Sequence, residues 1–420
     1  MVRPGYKQTE VGVIPDDWDA VPIGEMFTFK NGLNKAKGFF GYGTPIVNYM
    51  DVFGRPSLQI ADVAGRVDVN SRELASYEVR KGDVFFTRTS ETVEEIGVAS
   101  VMLDEPHKTV FSGFVLRARP SGESLDDGFK AYCFAPRYFR QQVTSNASYT
   151  TRALTNGRSL SAALLARPPL PEQRAIAAAL SDVDAALAEV LRLIAKKKDL
   201  KQAAMQTLLT GQTRLPGFSG DWEVKRLGDV GEALIGLTYS PSNVRESGIL
   251  VLRSSNIQGG ALNFDDKVFV DCHVPAQIMV QSGDVLICAR NGSRDLIGKS
   301  ALLDERTTGM TFGAFMAVFR SPIGKLVNYL FQSEVLKRQI HAHLGATINQ
   351  ITNKSLNSFE IPLAPTFAEQ TAIAAVLSDM DAEIVAVTAQ ADKIRLLKQA
   401  MMQDLLTGRV RLPLSEVTDA

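Results

Sequence analysis

A 45-residue stretch of this chain occurs twice. Residues 172–216 and 369–413 align without gaps at a fixed offset of 197 and are identical at 26 of 45 positions. The first copy runs EQRAIAAALSDVDA and closes with LKQAAMQTLLTGQTRLP; the second runs EQTAIAAVLSDMDA and closes with LKQAMMQDLLTGRVRLP. Self-similarity at a fixed period means that one structural plan is used twice, so any fold for this chain has to supply each element in two equivalent copies.

The duplication continues, more weakly, outside these stretches. Trp18 in IPDDWDAVPIGEM answers Trp222 in FSGDWEVKRLGDV, each just ahead of a block of short strand-like runs. VRKGDVFFTRTSETVEEIGVAS (79–100) answers VQSGDVLICARNGSRDLIGKSA (280–301). Both read as an apolar, β-rich run after a Gly-Asp turn, then a polar loop, then another strand. Phe111 to Phe114 answers Phe312 to Phe315, and FRQQVTSNASYTTRALTN answers LKRQIHAHLGATINQITN. The expected organisation is an α+β chain with sheet-rich domains at 1–165 and 213–362, each followed by a helical segment, at 166–212 and 363–411. Two similar frames with diverged faces fit two halves that dock one kind of partner but read different things, and a duplex with two half-sites is such a target.

In the second copy, apolar residues fall at Ile373, Leu377, Met380, Ile384, Val387, Ala391, Ile394, Leu397, Met401 and Leu405, a heptad seam. The first copy shows Ile176, Leu180, Val183, Leu187, Val190 and Ile194, then shifts phase to Leu200, Ala204 and Leu208 past Lys196, Lys197, Lys198 and Asp199. Each predicted helix begins near a proline, Pro171 or Pro365, and stops at Thr-Gly, Gly211 or Gly408, where glycine takes the left-handed turn that ends a helix. About 38 residues at ~1.5 Å each give rods of roughly 57 Å. Each rod has one apolar stripe, so the simplest burial is rod on rod, antiparallel if the halves are related by a two-fold axis. The other arrangement packs each helix separately on its own domain.

Charge excludes some functions. Forty-six Lys and Arg balance forty-six Asp and Glu, so no bulk positive field holds nucleic acid, and binding it requires local patches or a basic partner. The start, MVRPGYKQTEVG, is polar, and no stretch approaches eighteen apolar residues, so a soluble cytoplasmic chain is expected, without membrane contact. Cys133, Cys272 and Cys288 are odd in number and widely spaced, as for reduced thiols.

Catalytic motifs fail one by one. Gly292 to Gly298, followed by Lys299 and Ser300, has five residues between its glycines where a phosphate-cradling loop needs four. His341 and His343 lack further ligands nearby, so no metal site is expected. The Asn/Asp-Pro-Pro-Tyr/Phe motif of amino-methyltransferases is absent, the Pro-Pro of this chain lying in Arg167-Pro168-Pro169-Leu170. Neither a Gly-x-Ser-x-Gly elbow nor a His-Glu-x-x-His occurs, so no catalytic apparatus is expected.

Taken together, YKQTEVGVIPDDWDAVPIGE, GFSGDWEVKRLGDV, the runs around Gly82-Asp83 and Gly283-Asp284, ITNKSLNSFEIPLAP, RPPLPEQRAI, LLTGQTRLP and LLTGRVRLP resemble the specificity subunit of type I restriction-modification systems. The resemblance covers nearly the whole chain. It implies two pseudo-symmetric α/β target-recognition domains separated by two long helices packed as an antiparallel coiled coil. Each domain would read one half of a bipartite site in double-stranded DNA. The subunit would be non-catalytic and bind no cofactor of its own. S-adenosylmethionine, ATP and Mg would sit on its partners, two adenine-methyltransferase subunits and the restriction subunits that translocate and cleave. One departure is PTFAEQ at the second helix, where PLxEQ is common in the family. A coiled-coil scaffold without DNA readout is the competing class.

Base readers should be side chains of the diverged polar loops that offer forked or paired hydrogen bonds, arginine to guanine and asparagine or glutamine to adenine. In the first half these are Arg88, Thr89 and Ser90, with Lys35, Lys37, Tyr149, Thr151 and Arg152. In the second they are Arg290, Asn291, Ser293 and Arg294, with Arg253, Ser254, Asn256, Asn349 and Gln350. Phosphate contact is the alternative role for each. Lys196 to Lys198 either touch central phosphates or form a solvated face. Leu208, Leu209, Leu405 and Leu406 end the rods in apolar clusters, open either to methyltransferase docking or to core packing.

Overall fold

The run Val84–Thr87 is buried at every position and lies at the centre of a five-stranded sheet, as expected of a strand apolar on both faces. The strand order is Phe27–Asn31, Val115–Pro120, Val84–Thr87, Ala99–Met102, Ser57–Leu58. Its counterpart Val285–Cys288 is equally buried and central to a four-stranded sheet of order Glu232–Ile235, Met316–Arg320, Val285–Cys288, Ser300–Leu302. The computed structural model describes residues 2–149, 152–344 and 349–413. The mixed α/β chain divides into two units, residues 1–190 with 390–420 and residues 191–389. The division falls inside the long helices rather than at their ends.

The Gly-Asp turns owe their aspartates to a fastening role. Asp83 is fully buried, accepts from the Arg80 amide at 2.8 Å and pairs with Arg119 at 2.7 Å. Asp284 repeats this with the Gln281 amide at 2.9 Å and Arg320 at 2.8 Å. Each ties its turn to the neighbouring strand, and the hydrogen-bonded partner raises the affinity of Arg119 and Arg320 for their protons.

Each long helix is 39 residues, Leu170–Leu208 and Phe367–Leu405. In the first unit, Ile176 and Leu180 share a core with Leu405 and Leu406, together with Trp18, Phe86, Phe129 and Phe139. In the second, Met205, Leu208 and Leu209 share a core with Ile373 and Leu377, beneath Phe319, Phe331 and Leu336. Ion pairs give the direction. Lys197 meets Glu383 and Lys201 meets Asp381 in the second unit, at 2.7 and 2.6 Å, so one number falls as the other rises and the segments run antiparallel. In the first unit Lys398 pairs with Asp184 at 2.6 Å and Arg411 with Glu172 at 2.7 Å, again antiparallel.

The offset of 197 carries through into these contacts. Tyr132 donates to Asp184, which also holds Lys398; Tyr329 donates to Asp381, which also holds Lys201. Arg411 grips the buried Glu172, and Arg214 grips the buried Glu369. In each unit the start of one helix copy and the tail of the other serve the same sheet-rich region. Gly211 and Gly408 end the helices at φ +71° and +67°, and a Cβ at either would press on Trp222 or on Pro15 and Trp18.

Two positions of the expected seam are corrected. Leu200 and Leu397 are 52% and 54% exposed. The next residues, Lys201 and Lys398, hold the packing face through their ion pairs, and a one-residue step turns a helical side chain by about 100°. Of the lysine run, Lys197 is engaged with Glu383, whereas Lys196 and Lys198 face solvent. Among the described residues no helix is long and apolar enough to cross a membrane.

Candidate nucleic-acid interface

In the first unit the strand Val84–Thr87 runs directly into the candidate loop. The Arg88 amide donates to the Phe114 carbonyl at 3.1 Å, and the Arg88 carbonyl accepts from Thr155 at 3.0 Å. Thr89–Ser90 then pairs antiparallel with Ala153–Leu154, which pairs with Ser148–Tyr149. This small sheet, with Ala153–Leu154 as its central strand, gathers Arg88, Thr89, Tyr149 and Arg152 into one three-stranded unit, although up to 64 residues separate them in sequence. Tyr149 is 63% exposed, and Arg152 is exposed with Glu91 at 4.0 Å. Arg88 is half-buried; its Nη1 reaches the Gly113 carbonyl at 3.4 Å, and its buried Nε has no hydrogen-bond partner among the described residues. Thr151 lies outside the described residues.

The second unit builds a similar frame, with a single antiparallel bridge in place of the small sheet and with different side chains. Val285–Cys288 leads into Ala289 and Arg290, whose amides both donate to the Phe315 carbonyl, at 3.1 and 2.9 Å. The Ala289 carbonyl accepts from Ile351 at 2.8 Å, and Arg290 bridges antiparallel to Gln350. Asn349 donates to the Gly292 carbonyl at 3.3 Å, Asn291 reaches the Ser254 hydroxyl at 3.3 Å, and the exposed Ser293 is fixed through its amide by Asn291 Oδ1. The Arg290 guanidinium is exposed and lies 5.2 Å from the Phe315 ring.

Several expected readers are already engaged within the protein. Asn256 is fully buried: Nδ2 donates to the carbonyls of Asn263 and Asp266, and Oδ1 accepts from the Arg253 amide. Its amide knits a turn and has no edge to offer a base. Ser90 is buried and its hydroxyl donates to the Glu95 carboxylate. Lys35 pairs with Glu73 at 2.7 Å and donates to the Asp68 carbonyl, holding the Glu73 carboxyl below its usual range; Lys37 is exposed in the same loop. Arg253 pairs with Asp266, and Arg294 caps the helix Glu334–His343 by donating to the carbonyls of His341 and Leu344. Leu208, Leu209, Leu405 and Leu406 lie at 1–6% exposure inside their units' cores, so packing has taken the surface that a docking partner would need.

Sequence periodicity had no means of showing these internal partners, because a loop asparagine offered to a base and one that closes its own turn have the same letter. Among the described residues no group of three or more His, Cys, Asp or Glu is arranged to hold a metal.

The sequence model described as type I restriction modification DNA specificity domain matches residues 219–395. A Methanocaldococcus jannaschii protein assigned as the MjaX specificity subunit of a type I restriction enzyme is 25% identical, over 97% of this chain and 97% of its own. Two solved structures share the fold. One, from work on complex assembly and conformational transition of the type I R-M system, superposes with TM-score 0.61 at 20% identity, over 94% of this chain and 99% of that one. The other, the S subunit of a type I restriction-modification system from M. genitalium, gives 0.54 at 13%, over 92% of this chain and 96% of that one. With its duplicated plan and its paired helices, the chain is similar to the type I restriction-modification specificity subunits over nearly its whole length, and residues 219–395 match the DNA specificity domain of that family.

Proposed function

We propose that this chain is the DNA-reading, non-catalytic subunit of its complex, with one target-recognition domain in each half, at 1–165 and 213–362, and helical spacers at 166–212 and 363–411. Each domain reads one half-site of a bipartite duplex target. One observation carries this reading: a similar backbone frame, strand into loop into antiparallel cross-strand pairing, presents Arg88, Thr89, Tyr149 and Arg152 in one unit but Arg290, Asn291, Asn349 and Gln350 in the other. A shared scaffold with different hydrogen-bonding groups suits two different base sequences. Arg290, Asn291 and Arg152 keep donors on the surface, whereas Asn256, Ser90 and Lys35 serve the fold.

Two methyltransferase subunits dock to the repeated parts, and restriction subunits join them. S-adenosylmethionine, ATP and Mg are held by those partners, in the cytoplasm where the DNA is. Phosphate contacts from lysines such as Lys37, Lys196 and Lys198 add sequence-independent affinity that falls with salt. The helices' length sets the unread spacer, so a four-residue insertion in the Phe367–Leu405 helix changes the spacer while both half-sites persist.

The test is Arg290→Ala in the complex with its methyltransferase. Specific binding weakens by about 1–3 kcal/mol and one base of one half-site is relaxed. Equal weakening on all sequences would reassign Arg290 to the phosphate backbone, and no selectivity in the wild type would favour the scaffold reading.

A further inference from the structure

Two phenylalanines stand out of the surface at the same place in both units. Phe114 is 59% exposed and Phe315 is 62% exposed, while Phe111 and Phe312, three residues before each, are fully buried. A single exposed apolar side chain carries no information. Here the placement is repeated, in a region where the copies otherwise keep few common residues.

Each ring sits on a rigid turn. The Val115 amide donates to the Ser112 carbonyl at 3.1 Å and the Met316 amide to the Gly313 carbonyl at 2.8 Å, so both phenylalanines occupy the third position of a tight turn. The turn backbone is pinned from the side by the Arg88 amide in one unit and by the Ala289 and Arg290 amides in the other. It is pressed from below as well: a Cβ on Gly32 would collide with the Ser112 carbonyl, and one on Gly236 with the Gly313 carbonyl. Two glycines thus let the chain come close enough to brace each turn. A ring so held loses little freedom on meeting a ligand, which favours its use as an anchor.

The neighbours point to what the ring meets. Arg290 lies over Phe315, and the half-buried Arg88 is hydrogen-bonded, through its amide and Nη1, to the backbone of the Phe114 turn. An arginine fork beside an exposed ring matches a base-pair edge, which offers acceptors next to an apolar methyl or an aromatic face.

We propose that Phe114 and Phe315 are the apolar base contacts of their units, each meeting the half-site beside its arginine. The inference rests on the DNA-reading function above and adds a residue pair to it. The experiment uses the full chain assembled with its methyltransferase subunits, comparing Phe114→Ala, Phe315→Ala and Arg290→Ala by duplex binding and by sequencing of methylated sites.

Phe315→Ala should weaken cognate binding about tenfold to a hundredfold and relax one half-site, and Phe114→Ala should do the same to the other half-site. Melting should stay near that of the parent, since each ring is mostly in water. An unchanged motif and affinity in both phenylalanine variants, with Arg290→Ala still relaxing its half-site, would overturn the proposal and leave the DNA-reading function standing. If all three variants kept the parental motif, that function's site would fail and the proposal with it. Loss of methyltransferase copies with an intact motif would mean that the rings contact protein, which also overturns the proposal.

Discussion

Arg411→Ala should open the clasp that ties the tail of the second helix to the first unit. Arg411 donates to Glu172 at 3.0 and 2.7 Å and to Asp17 at 2.9 and 2.7 Å. The two carboxylates differ in what they lose. The Asp17 side chain is 47% exposed and regains water, so its share is about 0–1 kcal/mol. The Glu172 side chain is 1% exposed and, among the described residues, keeps only the Trp18 indole N–H, at 2.8 Å, as a side-chain donor. Removing one partner of a buried pair costs about 3–5 kcal/mol, but Arg411 is 37% exposed, so water reaches the vacated site and roughly 2–3 kcal/mol is expected. For a unit of this size that is a fall in melting temperature of about 4–12 °C. Scanning calorimetry reads the shift, and limited proteolysis should show the segment after Gly408 becoming cleavable. Combining Arg411→Ala with Glu172→Gln should recover part of the loss, because the buried group then carries no charge. An unchanged melting temperature and a still-protected tail would refute the clasp.

Other outcomes follow from the same contacts. Hydrogen bonds from Arg214 hold the Glu369 carboxyl below its usual range. A depressed carboxylate contributes stability that is complete above the ordinary value of about 4.3 and lost as pH falls through the lower folded value, so acid should destabilise the parent more steeply than Arg214→Ala. Equal slopes in pH-dependent melting would contradict this. Asn256→Ala strips partners from one amide and two carbonyls and should cost about 2–4 kcal/mol in a denaturant titration while leaving the bases read unchanged; a stable variant with an altered motif would restore Asn256 as a reader. Tyr132→Phe and Tyr329→Phe each remove a hydroxyl bonded to Asp184 or Asp381 and should cost about 1 kcal/mol apiece, equal within error if the two networks are equivalent; a large inequality in their denaturation midpoints would count against that.

Much of the architecture was legible because duplication and periodicity are properties of order along a chain. The offset between Glu172 and Glu369 recurs in Tyr132 and Tyr329, Asp184 and Asp381, and Lys201 and Lys398, so a single alignment predicts which contacts pair. The helix ends at Gly211 and Gly408 were equally legible, since a left-handed residue there needs glycine. The seam misled at Leu200 and Leu397, where an ion pair one residue on took the buried face. Site residues were hardest. Whether Asn256 or Asn291 faces outward depends on carbonyls brought by other segments, and that Phe114 stands outward while Phe111 is buried depends on the turn closed by the Ser112 carbonyl.

Sequencing the sites methylated by the assembled complex, for the parent and for Arg152→Ala and Arg290→Ala, tests the central claim most directly. The account predicts a motif of two specified half-sites around an unread spacer, with each substitution relaxing a different half-site and leaving the other intact. A single uninterrupted motif, or both substitutions altering the same half-site, would contradict it.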